Sequence, residues 1–224
     1  MTAVTETTRP GRMLGDAELR RASLAEQIKH MSAVRSHAWT IAEVEQLIEE
    51  RNGMVPRYEL VRGELLVTPA PSHRHQRIIL HLALALHAYL VRERIAEIRL
   101  GPGELRLSPN ERFEPDLFVL AAPDGRLPGA HGDGSHPLLV CEVLSPGSSR
   151  HDRVTKRRAF QQHGVAEYWV VDGDAEVFEI WHAGDERPAV ADERVVWRPV
   201  GAASDFELDV RRFFAQAADQ APLP

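Results

Sequence analysis

The chain has 224 residues, 43% hydrophobic and 27% charged, enough to bury one core of ordinary size. Its net charge of −6 excludes a global field that gathers nucleic acid, so any phosphate contact must come from a local basic patch. One cysteine, Cys141, excludes an internal disulfide and suits a reducing cytoplasm.

The longest apolar stretch, 78–91, is broken by His81 and His87 and falls short of a membrane span. The N-terminus lacks a secretory apolar core, and no membrane partner is expected. Residues 1–35 are polar and weakly patterned. Leu19, Leu24 and Ile28 allow one helix over 16–31, read as an arm or interaction helix ahead of a single domain over 36–224.

Thr40 with Glu43 forms a capping box for a helix whose apolar face is Ile41, Val44, Leu47 and Ile48, and Asn52-Gly53 ends it. Strands 58–61 and 64–67 flank Arg62-Gly63, a tight hairpin. Pro69 and Pro71 stop the second strand. Ser72 then caps a helix to about Arg94, with Ile78, Ile79, Leu82, Leu86, Tyr89 and Leu90 on its core face. Short strands are expected at 96–100 and 104–107, and a Gly-, Pro- and His-rich loop at 123–137.

The chemistry concentrates between Glu114 and Phe160. Pro115-Asp116 heads the apolar run 117–122, and Glu142 sits inside a second run, 138–144. A run that apolar is a strand covered on both faces, where an ionised carboxylate costs several kcal/mol unless a charge or a metal compensates it. A turn at 145–149 leads into a helix over 150–163, closed by Gly164. The strand 167–172 returns after it, making a βαβ unit. A hairpin strand at 176–182, a strand at 194–199 and a helix at 210–217 complete the chain.

Asp116, Glu142 and Lys156 could converge on one point suited to a divalent cation and a positioned water. Each has a plainer reading as well. Asp116 could cap a strand end, Glu142 could pair with an arginine, and Asp152 with Lys156 is most simply a surface salt bridge at i,i+4. Phe160, four further on, nevertheless turns that face inward. Arg150, Arg153, Lys156, Arg157 and Arg158 form either a solvated face or a phosphate-binding one. His73 and His75 lack partners for a zinc site.

The succession Tyr58-Glu59-Leu60, Gly63-Glu64-Leu65, Ser72-x-x-His75, Pro115-Asp116, Glu142-Val143-Leu144-Ser145-Pro146, Asp152-x-x-x-Lys156 and Glu167-Tyr168-Trp169-Val170-Val171-Asp172 resembles the Uma family of proposed bacterial endonucleases. That family falls in the PD-(D/E)XK nuclease superfamily. The resemblance covers roughly residues 40–182. It implies an α/β, restriction-endonuclease-like fold, a mixed central β-sheet flanked by helices, and Mg²⁺-dependent phosphodiester cleavage, with Mn²⁺ as substitute.

Mapped onto this chain, it implies Asp116 and Glu142 as metal-holding acids, the Val143 carbonyl as a third ligand, and Lys156 as the residue positioning water. Leu144 stands where the superfamily's usual lysine falls, and Lys156 is the substitute. Glu64, with Glu59 as competitor, fills the upstream acidic position. Arg150, Arg153, Arg157, Arg158 and His75 are the expected nucleic-acid contacts, DNA the expected partner, and a homodimer the expected assembly by analogy. The competing class is a non-catalytic nucleic-acid-binding or assembly protein that keeps the fold. From these expectations, strands 64–68, 104–107, 116–121, 138–144 and 167–171 should share one sheet.

Overall fold

A computed structural model describes residues 38–50, 53–122 and 137–218. The expected arm over 1–35, the Asn52 helix end and most of the loop at 123–137 lie outside them. Helix α1 (Ile41–Glu50) begins with the expected capping box: the Glu43 carboxylate accepts from the Thr40 N–H at 2.9 Å, and the Thr40 hydroxyl from the Glu43 N–H at 3.4 Å. Strands β1 (Arg57–Val61) and β2 (Glu64–Thr68) follow. Their two-residue turn holds Arg62 at φ 53° and Gly63 at φ 79°, the left-handed pair a twisted hairpin requires. Helix α2 (His73–Glu93) is capped by Ser72, whose hydroxyl accepts from the His75 N–H.

Next come β3 (Ala96–Leu100), β4 (Leu105–Ser108), β5 (Glu111–Phe113), β6 (Leu117–Ala121) and β7 (Pro137–Val143). The chain then makes a π-helical turn, His151–Lys156, that runs into α3 (Arg157–Gln162). Strands β8 (Glu167–Asp172), β9 (Val177–His182), β10 (Ala189–Ala191), β11 (Arg194–Trp197) and β12 (Phe206–Asp209) precede α4 (Val210–Ala218). No helix among the described residues is long and apolar enough to cross a membrane.

A six-stranded mixed sheet in the order β10-β9-β8-β7-β6-β3 forms the centre. Its one parallel pair is β7 with β8, Glu142 opposite Val170, which is the expected βαβ unit. The expectation of a single sheet needs correction. Segments 64–68 and 104–107 belong to a separate antiparallel sheet, β2-β1-β5-β4. Pairing of Leu60 with Arg112 joins two hairpins far apart in sequence, and local pattern carries no signal for it. Strands β5, β10 and β12 are not among the predicted elements. They are three or four residues long, too short for alternation to show.

Period-2 alternation divides the central sheet. Leu139, Cys141, Val143, Trp169 and Val171 join the core under α2 and α4. Val140, Phe118, Leu120, Tyr168 and Val170 join a second core with Ala159 and Phe160 of α3 and with Val61, Leu66, Leu105 and Phe113 of the small sheet. Glu142 alternates with Cys141 and Val143, so its side chain falls on the face of this second core.

Candidate active site

Asp116 lies one residue ahead of β6, whose first residue, Leu117, pairs with Cys141. That puts Asp116 beside Glu142. Its N–H donates to Glu142 Oε2 at 3.3 Å, and Val143 N–H donates to Asp116 Oδ2 at 2.9 Å. The Asp116 carboxylate also meets Arg57 Nη1 at Oδ1 (2.8 Å) and His75 Nε2 at Oδ2 (3.0 Å). Gly101 allows this approach: a Cβ there would lie 2.8 Å from the Pro115 carbonyl and 3.4 Å from Arg57 Nη1.

Lys156 meets the other carboxylate oxygen of Glu142. Its ammonium lies 2.6 Å from Glu59 Oε2, 2.8 Å from Glu142 Oε1 and 3.3 Å from Asp152 Oδ1. The π turn brings it there. Arg157 N–H reaches back to the Asp152 carbonyl, which also accepts from the buried Tyr168 hydroxyl at 3.0 Å. Such turns are often found at functional sites. The surface reading of Asp152 and Lys156 therefore needs correction: they are 1% and 2% exposed. The inward face carrying Phe160 is as expected.

The upstream acid of this cluster is Glu59, not Glu64. Glu59 is fully buried and its Oε1 accepts from the Glu114 N–H at 2.8 Å, whereas Glu64 is exposed beside the hairpin turn. Glu59 carried the same signal as Glu142, an acid inside an apolar strand. The hairpin pattern left it as the competitor of Glu64. Arg57 had no sequence signal beyond standing next to Tyr58-Glu59. A neighbouring buried pair, Arg112 with Glu114 at 2.6 Å, ties β5 to β1 through the Tyr58 carbonyl.

The basic residues have different surroundings. Arg153 is held by Glu179, Asp172 and the Ser149 hydroxyl. Arg157 stacks over Trp181, 4.5 Å from the ring centroid, and bonds Gln161. Arg150 and Arg158 are exposed. His75 is buried against Asp116 rather than presented to solvent.

Burial acts to raise the carboxyls of Asp116, Glu142 and Asp152, and charge decides which remain high. At Asp116 burial is outweighed by the His75 bond, the Arg57 guanidinium and the Val143 N–H, which hold the acid well below the usual range. At Glu142 burial pushes the pKa well up; Lys156 opposes it, while Asp116, Asp152 and Glu59 reinforce it. Asp152 is raised by burial against the pull of Lys156 and Ser148. Burial would lower Lys156, but Glu142, Glu59 and Asp152 carry it well above its ordinary value. Adjacent carboxyls driven apart in this way are a mark of acid–base and metal sites.

A cleft of about 770 Å³ lies beside the cluster between the Pro69–Ser72 and Ser145–Ser149 loops, with Arg57, His75 and Val143 at its wall. Among the described residues no three His, Cys, Asp or Glu side chains are ready-grouped to hold a metal. Every oxygen of Asp116 and Glu142 has a protein partner instead.

Comparison with known proteins gives a family and a fold. The family model Uma2, described as "Putative restriction endonuclease", matches residues 41–211. A crystal structure titled as a putative nuclease belonging to DUF820, from Anabaena variabilis, superposes with a TM-score of 0.63 at 18% identity. The match covers 78% of this chain and 98% of that one. No curated protein matches.

Proposed function

The chain belongs to the Uma2 family, and from that premise we propose that it hydrolyses nucleic-acid phosphodiester bonds, DNA being the expected substrate, with a divalent cation. One observation carries the reading. Among the described residues, four buried carboxyls, Glu59, Asp116, Glu142 and Asp152, face only two obligate cations, Arg57 and Lys156. A structural ion-pair cluster balances its charges, because each unpaired buried charge costs several kcal/mol. This one holds an excess of acids, which protons on the raised Glu142 and Asp152, or a divalent cation, would neutralise.

The donor types suit Mg²⁺ or Mn²⁺: the Asp116 and Glu142 carboxylates with the Val143 carbonyl form a hard oxygen set. A cation bound there supplies Lewis-acid polarisation of a phosphate oxygen and a more acidic water. The remaining work falls to the chain's own groups. Lys156 Nζ–H donates to Glu142 Oε1, fixing that carboxylate, and its ammonium orients the attacking water and offsets charge developing on the phosphate. Lys156 on the π turn thereby takes the role left open by Leu144. Asp152 and Glu59 hold the ammonium in position. The Asp116 carboxylate is kept ionised, ready to serve as a ligand, by His75 and Val143 N–H.

The full engagement of the Asp116 and Glu142 oxygens favours a second reading, a non-catalytic nucleic-acid-binding or assembly protein. A nuclease assay on DNA and RNA substrates with Mg²⁺, Mn²⁺ or EDTA separates the two. Cleavage that EDTA abolishes supports hydrolysis; binding without cleavage under every metal supports the second reading.

A further inference from the structure

Arg57 is where the acid cluster and the cleft share a guanidinium. It opens β1, and its side chain forms part of the cleft wall. Among the described residues Nη1 alone finds acceptors, Asp116 Oδ1 at 2.8 Å and the Glu114 carbonyl at 3.1 Å. Nε is buried with no acceptor among the described residues. A guanidinium presents five N–H donors in a planar fork that matches a phosphate, so most of its capacity is unused here. The other arginines of the cleft wall differ. Arg74 is tied to Asp174 and the Gly173 carbonyl, and Arg153 to Glu179, Asp172 and Ser149.

Asp116 Oδ1 therefore has two claimants, the Arg57 guanidinium and any cation seated on that carboxylate. Seated on one oxygen, the two positive charges would repel each other at close range. We propose that Arg57 is a phosphate ligand held in reserve: when a divalent cation takes over Asp116, the guanidinium turns from Oδ1 to a non-bridging oxygen of the substrate phosphate in the cleft. The inference rests on the proposed metal-dependent hydrolysis and assigns Arg57 two measurable effects. Without substrate it competes with the cation for Asp116. With substrate it contacts the phosphate, as a catalytic residue.

The test reads metal binding apart from turnover. Substrate-free wild type and R57M are titrated calorimetrically with Mg²⁺ or Mn²⁺, and cleavage is measured separately. R57M should bind the cation about tenfold more tightly, ~1.4 kcal/mol. It should turn over about 100-fold more slowly, the scale of losing one charged donor at the reacting group. Unchanged or weaker metal binding overturns the exchange, and turnover within about twofold of wild type overturns the phosphate contact.

If R57M does not fold, R57K carries the test, since it keeps a charge on Asp116 but loses the fork. Its metal affinity should stay within about twofold while turnover falls at least about tenfold. Wild-type turnover in R57K overturns the inference. A wild-type protein that neither cleaves nor binds the cation removes the proposed hydrolysis, and the exchange with it.

Discussion

The two faces of the six-stranded sheet are built from the same strands and hold opposite interiors. Under α2 and α4 lies an aromatic layer in which Trp169 packs edge-on against Phe178 and Trp197 at 5.9 Å, and Phe178 meets Phe213 at 5.5 Å. On the other face Glu142 sits among Lys156, Asp152 and Glu59. Strand β7 serves both, Cys141 and Val143 facing the first and Val140 and Glu142 the second. One face is stabilised by area removed from water, at any pH and with any ion present. The other has an apolar core of its own, but sets within it a charged cluster that is stable only while its charges are matched. The molecule thus keeps a scaffold insensitive to conditions directly behind a site that responds to them.

The largest expected effect is confined to the charged face. Asp116→Ala or Glu142→Ala should lower metal-dependent cleavage by about 1,000-fold or more, ~4 kcal/mol of barrier, in steady-state kinetics. Substitution within the aromatic layer that leaves the protein folded should scarcely change turnover per folded molecule. Comparable losses from both faces would erase the distinction.

Stability gives the next comparison. Trp169→Ala opens a cavity and should cost about 3–5 kcal/mol in denaturant unfolding, at acid and neutral pH alike. Lys156→Met should cost a similar ~3–5 kcal/mol near neutrality, because it strands three buried carboxyls. That second loss should shrink towards about pH 5. The sign follows from Glu142 and Asp152, whose pKa values burial raises in the fold. A carboxyl raised in the folded state contributes stability below its unfolded pKa and loses it as pH rises through the folded value. Without Lys156 the rise is larger. A Lys156→Met penalty that is the same at both pH values would contradict this account.

Much of the charged face was legible because it broke a rule of burial. Glu142 stood out as an acid in an apolar run, and the spacing from Lys156 to Phe160 turned a lysine inward. Hydrophobic patterning likewise located α2 and the β7–β8 crossover. What stayed hidden depends on tertiary contact. The π turn is held by the Tyr168 hydroxyl on the Asp152 carbonyl, and its sequence, with Asp152 and Lys156 four apart, reads as an ordinary surface helix. Glu59 stood only as the competitor of Glu64, because the hairpin pattern does not show that the second core covers β1. Arg153 read as a phosphate contact because its acid partners, Asp172 and Glu179, arrive from β8 and β9.

A smaller effect separates surface from site. Arg150 and Arg158 are exposed beside the charged face, and Arg158→Met should weaken nucleic-acid binding. It should also lower the slope of log K against log salt by about 0.9 for each duplex-DNA phosphate that the side chain neutralises. Arg157, stacked on Trp181, should change the slope less. Equal slopes for Arg158→Met and wild type would move the binding surface elsewhere.

The central claim is that the buried acids lack a counter-charge which a divalent cation supplies. Unfolding of wild type and Glu142→Ala in metal-free buffer, then with added Mg²⁺ or Mn²⁺, tests it most directly. Wild type should gain stability with the ion, and Glu142→Ala should be as stable as wild type or more so without it, with the ion response diminished. A loss of about 3–5 kcal/mol by Glu142→Ala in metal-free buffer, beside a wild type indifferent to the ion, would make Glu142 a structural partner of Lys156 and contradict the account.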